Sequence, residues 1–160
     1  MQDELRKLLL SLDGVRQHPK HHPEGDALFH SLQTFELARR ATQDRILWAA
    51  ALLHDVGKAA GGPGHDAFGA ELLDGLVAPK IAWLVKHHLD LLDHPVRTKH
   101  RLRGTQALAD LQRLRAWDVG GRDPHACTVS VDEALEILFE RDHEILQPTG
   151  PGAYDDAETY

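Results

Sequence analysis

The sequence predicts an all-α fold, a compact bundle of about six to seven helices. Most segments repeat their apolar residues at helical period, strict strand-like alternation is nearly absent, and loops rich in Gly and Pro separate the periodic segments. The 160 residues suit one core, and a hydrophobic fraction of 42% with a charged fraction of 27% is that of an ordinary globular chain. The expected organisation is a single domain over 1–147, followed by a disordered tail over 148–160.

A first helix is expected around residues 3 to 12, stopped by Asp13-Gly14 and followed by a His- and Pro-rich loop from His18 to Pro23. Leu28, Leu32 and Phe35 mark a second. Asp44 caps a third, whose run Ile46 to Leu53 is apolar all round and therefore central, ending at Gly57. After the loop from Ala59 to Gly64, Phe68, Leu72 and Leu76 define a fourth helix, and Pro79 suits the first turn of a fifth. A long polar connection is expected up to about Gly104. Leu108, Leu111 and Leu114 then lead a sixth helix to Asp118, closed by the loop Gly120 to Pro124. Ser130 and Glu133 have capping-box spacing for a last helix through about Leu146.

A formal charge of -7 disfavours broad, sequence-independent wrapping of nucleic acid, which draws its affinity from neutralised phosphates. The basic stretch Arg97, Lys99, His100, Arg101, Arg103 is either a local phosphate-contacting patch or solvated surface. No apolar run approaches the roughly 18 residues of a membrane span. Met1-Gln2-Asp3-Glu4 is acidic where a signal peptide is basic, and Cys127 has no second cysteine to pair with. The expectation is a cytoplasmic protein with no thiolate metal site and no membrane partner.

The unusual count is 12 histidines. Leu47, Ala50, Ala51 and His54 fall at i, i+3, i+4, i+7, so one face of the central helix terminates in a histidine, and Asp55 follows at once. Ile81, Leu84, Val85 and His88 repeat that spacing. His87 lies about 100° round the helix and reads as surface or as support for a ligand. Leu111, Leu114 and Asp118 share a third face, while His30 sits on the second helix and His65 opens the fourth. Taken singly, each is equally well a hydrogen-bonded core group or an exposed one. Five helices that each deliver a histidine or aspartate to an apolar face leave several buried polar groups in need of partners, and one metal cluster satisfies them all.

The order His30, His54-Asp55, His65, His88, Asp118 resembles the HD superfamily of metal-dependent phosphohydrolases, over residues from about 18 to 145. His22-Pro23-Glu24-Gly25-Asp26, Ala51 to Lys58, Gly64-His65 and Asp118-Val119-Gly120-Gly121-Arg122 most resemble the HD domain of bacterial CCA-adding tRNA nucleotidyltransferases. The resemblance implies an HD-domain bundle with metal-dependent phosphatase and cyclic phosphodiesterase activity on nucleotides or RNA ends. In that family an Ile or Val three residues before the fifth-helix histidine is usual, which favours His88 over His87. The chain departs from the family in carrying no nucleotidyltransferase domain, so CCA addition is not expected, and it lacks the Gly-Tyr-Pro motif of cyclic-di-GMP phosphodiesterases.

Nitrogen and oxygen ligands suit one or two divalent transition ions, Mn, Fe, Co, Ni or Zn. The expectation is that Asp55 bridges two ions, with His30, His54 and Asp118 on one and His65 and His88 on the other. Asp55 and Lys58 are the candidate catalytic residues, and Lys58 and Arg122 the candidate phosphate-binding ones. Glu24 or Asp26 is expected to orient a ligand, or Asp26 to touch metal. The substrate class is a phosphomonoester or cyclic phosphodiester on a nucleotide or RNA end. The alternatives are a nucleotidase or dinucleoside-polyphosphate hydrolase, a di-iron oxygenase, and a non-catalytic metal-bound regulatory module.

Overall fold

The computed structural model of the chain describes residues 1–140 and 143–154. Seven helices of nine residues or more carry the fold: α1 (Gln2–Leu10), α2 (Ala27–Ala41), α3 (Arg45–Leu53), α4 (His65–Leu73), α5 (Pro79–His87), α8 (Gln106–Gly120) and α9 (Val131–Phe139). Two shorter ones, α6 (Asp90–Asp93) and α7 (Pro95–Arg101), lie in the stretch expected to be a plain connection. That expectation fails because only Thr98 of α7 is buried, so too few apolar positions mark its inner face. Among the described residues the sole β feature is an isolated antiparallel bridge between Arg16 and Asp26.

The centre of the molecule is α3. Asp44 caps it, its Oδ1 accepting from the backbone N–H of Ile46 at 2.9 Å, and every residue from Ile46 to Leu53 is buried. Around it pack α2, α5, α8 and α9, with α1 laid against α9. The helix stops at Leu53, earlier than the expected Gly57, and the chain tightens into a 3-10 segment over Val56–Ala60. Ser130 and Glu133 form the capping box expected of α9. α9 itself ends at Phe139 and a 3-10 turn covers His143–Leu146, so the single helix expected there is two elements.

The fourth helix is one residue out of phase with its expected face. His65, Gly69 and Leu73 point inward, while Phe68 is 39% exposed. The cause is Gly57, where the 3-10 segment meets α4: a Cβ there would stand 2.0 Å from the carbonyl oxygen of His65 and 2.8 Å from the N of Gly69. Two glycines let the backbones touch, and that contact sets the rotation of α4 more strongly than Phe68 and the half-buried Leu72.

The His-rich loop is closed at its base by hydrogen bonds from Gln17 N–H to Gly25 O at 2.9 Å and from Ala27 N–H to Val15 O at 3.0 Å. Of the stretch read as a tail from 148 onward, residues 148–154 run back along α5. There Pro151 O accepts from Lys80 N–H at 3.2 Å, Tyr154 packs on Trp83, and the Tyr154 hydroxyl donates to Asp110 Oδ2 at 2.5 Å. Residues 155–160 of that expectation lie outside the described residues.

Candidate metal centre

Helix ends and helix faces bring the six sequence-marked residues together. His30 comes from the buried face of α2, His54 caps the C-terminus of α3, and Asp55 begins the 3-10 segment. His65 opens α4, His88 caps the C-terminus of α5, and Asp118 lies two residues before the end of α8. All six are buried.

Backbone carbonyls orient every imidazole. The Nδ1–H groups donate from His30 to Gly121 O at 2.7 Å, from His54 to Ala51 O at 2.8 Å, from His65 to Gly62 O at 2.8 Å and from His88 to Val85 O at 2.6 Å. A carbonyl oxygen can only accept, so Nδ1 carries a proton in each ring and Nε2 is the atom turned to the centre. The Nε2 atoms of His54, His65 and His88 are buried and have no hydrogen-bond partner. Buried nitrogens left in that state fit a cation.

Between the rings stands Asp55. Its Oδ2 lies 3.4 Å from His54 Nε2 and 3.8 Å from His30 Nε2, while its Oδ1 lies 3.2 Å from His65 Nε2 and 3.6 Å from His88 Nε2. Asp118 Oδ1 joins the first set at 3.0 Å from His30 Nε2 and 3.7 Å from His54 Nε2. Atoms that share one ion at about 2.1 Å lie roughly 3–4 Å from one another, so both sets have the spacing of a coordination sphere.

Charge in the cluster follows from proximity. Burial alone would depress the basicity of His54, but the Asp55 and Asp118 carboxylates outweigh it and the imidazole is pushed up to about 10. Burial would raise both carboxyls; the surrounding imidazoles instead hold Asp55 well below the ordinary carboxylate range and lower Asp118 as well. Both acids are therefore ionised, and a cation entering the site would have to replace the proton of His54.

Behind His30, Glu24 Oε1 lies 3.0 Å from His30 Nδ1 and 2.8 Å from His22 Nδ1, so Glu24 supports the ring as expected of it. Asp26 does not reach the cluster. Its Oδ1 caps α2 by accepting from Phe29 N–H at 2.9 Å, and its Oδ2 accepts from Gly14 N–H at 2.6 Å. His87 also points elsewhere, stacked on Trp83 at 4.3 Å and bonded to Asp90 at 2.7 Å.

Lys58 Nζ lies 2.7 Å from Asp55 Oδ2 and 2.5 Å from Gln17 Oε1, at the edge of a cavity of about 240 Å³ shared with Arg16, His18 and His22. Arg122 is half-buried one residue beyond Gly121, and its Nε has no hydrogen-bond partner among the described residues. Sequence reasoning missed Arg115, which donates to Asp118 Oδ2 at 2.9 Å; its i−3 position on the same helix was the available signal. It also missed Gln33, whose side chain brackets Asp123 with bonds of 2.8 and 3.0 Å and so fixes the loop whose Gly121 carbonyl holds His30.

Comparison with protein families matches the HD domain over residues 28–123. Among curated proteins, the chain is 42% identical over 72 residues to a multifunctional CCA protein of Methylococcus capsulatus, covering 41% of this chain and 17% of the relative. It is 40% identical over 77 residues to one from Halorhodospira halophila, covering 42% and 19%. A third, from Hahella chejuensis, is 36% identical over 84 residues, covering 46% and 20%. The chain thus matches at most a fifth of the length of these relatives.

Proposed function

The chain belongs to the HD domain family, and from that premise we propose that it is a phosphohydrolase whose ligands His30, His54, Asp55, His65, His88 and Asp118 hold two divalent transition ions. The observation that carries this reading is the placement of Asp55, with each carboxylate oxygen facing a different pair of imidazole Nε2 atoms. The absence of cysteine from the cluster leaves Mn, Fe, Co, Ni and Zn as fitting ions. When bound, such ions supply a water of lowered pKa that can attack phosphorus.

The chain's own residues do the rest. Asp55 would serve as a ligand shared by the two sets of imidazoles. Lys58, already within reach of Asp55, presents its ammonium to the cavity it shares with Arg16 and His22, where it binds a phosphoryl oxygen and offsets the charge developing there. Arg122 contributes a second cation for the substrate. The local likeness to multifunctional CCA proteins favours nucleotide or RNA-end phosphates, in a cytoplasmic setting that suits a lone cysteine. One domain suffices for the centre, because its ligands run only from His30 to Asp118.

The test joins metal analysis to a panel of 5′- and 3′-mononucleotides, 2′,3′-cyclic nucleotides and 3′-phosphorylated oligonucleotides. Two ions per chain are expected, with metal-dependent release of phosphate from a monoester or opening of a cyclic nucleotide to its monophosphate. A fully loaded protein that turns over none of them is a binding module, and one that consumes oxygen in place of water belongs to another reaction class.

A further inference from the structure

A second concavity, of about 350 Å³, lies beside the candidate centre, between α4, α5 and α7. It borders the ligands directly in the chain: Asp66 follows His65, and His87 precedes His88. The His65 side chain is 11% exposed, whereas those of His30, His54 and His88 are at most 2% exposed. Of the four imidazoles, His65 at the first turn of α4 is thus the most open to solvent, and the next residue along that helix, Asp66, lines the cavity.

Its lining is made for an anion. Lys86, His87, His94, Arg97 and Arg101 face two carboxylates, Asp66 and Asp90, and Ala67 is the one apolar side chain among the lining residues. Asp90 is occupied, since His87 Nδ1 lies 2.7 Å and Arg101 Nη2 3.4 Å from its Oδ2. It thereby holds two of the cationic or potentially cationic groups in place. Lys86 and Arg97 are exposed and form no ion pair among the described residues, so their donors are left for a ligand. In a chain whose net charge is -7, such a concentration of donors is not a sample of the average surface. A guanidinium fork beside an ammonium matches phosphate oxygens.

We propose that this cavity binds a phosphate of the substrate other than the one hydrolysed, so that the preferred substrates carry at least two phosphates. The proposal rests on the phosphohydrolase reading for the word substrate, although the binding itself does not need turnover. The second phosphate belongs either to an internucleotide linkage or to a polyphosphate chain.

The experiment measures affinity of the full chain for two probes, inorganic tripolyphosphate and a labelled trinucleotide ending in a 3′-thiophosphate. Arg97→Gln and Lys86→Gln, on separate helices, are compared with Lys99→Gln, which removes the same charge from α7 outside the cavity. Each cavity variant is expected to lose about tenfold in affinity for at least one probe. For the trinucleotide, the slope of log affinity against log salt should fall by about 0.7 per cation removed. The probe that responds identifies the source of the phosphate. Unchanged affinity in both cavity variants overturns the proposal, and so does an equal loss in Lys99→Gln. A chain that binds through Arg97 but hydrolyses nothing refutes the hydrolase reading alone. One that hydrolyses mononucleotides while Arg97→Gln binds both probes like the wild type refutes the cavity alone.

Discussion

At Asp55, an amide in place of the carboxylate keeps the size of the side chain but removes the anion that faces both imidazole pairs. Asp55→Asn is therefore expected to reduce bound metal from two ions to one or none, measured by elemental analysis of the folded protein. Retention of two ions would remove Asp55 from the bridging position. His54 gives a second prediction, with its sign fixed by the carboxylates around it. Its folded value of about 10 exceeds the ordinary value near 6.5, so its stabilising contribution is complete below about pH 6.5 and lost as pH rises through 10. The metal-free protein should lose Tm between pH 7 and 10, while its affinity for metal rises over the same interval because the ion displaces a proton. A metal-free Tm that stays level across that range would contradict the pairing. Of the six clustered residues, His54, His88 and Asp118 were legible because a histidine or acid at i+7 from a buried apolar position inherits its direction, whereas Asp55 followed from its place beside His54 and His30 and His65 from the order of the motif. Asp26 and His87 show where that logic stops. A carboxylate one residue ahead of a helix is captured by the free backbone N–H groups, and a histidine 100° from the buried face finds its own surface partners.

Whole elements were legible where their ends carry chemistry: Asp44, Pro79 and Ser130 mark the starts of α3, α5 and α9 as expected. The phase of α4 was not, because it depends on a contact between two glycines far apart in the pattern, and neither leaves a hydrophobic signal. Gly57→Ala tests that contact. A methyl group 2.0 Å from the His65 carbonyl must push α4 away, at a cost of about 3 kcal/mol for overpacking. That corresponds to a drop of roughly 6–12 °C in Tm for a chain of this size. Because α4 carries His65, the same variant should also bind metal more weakly than Gly69→Ala, whose added Cβ would meet its nearest neighbours at 3.3 Å. Equal Tm and equal metal content in the two variants would show that the approach of α4 is not what positions His65.

For the whole molecule, the return of residues 148–154 along α5 ties the end of the described chain to α5 and α8. Its anchor is Tyr154, whose hydroxyl donates to the buried Asp110 and whose ring packs on Trp83 beneath the Lys80 ammonium. Burial and the neighbouring carboxylate push the phenol above its ordinary value, so it remains a donor at physiological pH. Tyr154→Phe keeps the stacking and removes the donor, and should cost about 1.5 kcal/mol in chemical denaturation with no change in metal content. An unaltered midpoint would mean that the segment rests on α5 without holding it. Composition alone concealed this tie, since Pro, Gly and Thr around one tyrosine look the same whether the segment docks or not. The bonds from His54, His65 and His88 to Ala51, Gly62 and Val85 differ from it in scale, each closing inside a single turn of the histidine's own backbone. Slackening of the distant termini leaves those rings aimed as before. Were a cation held at this centre and then lost, it would leave a ready-made socket, because these three rings keep their aim without it.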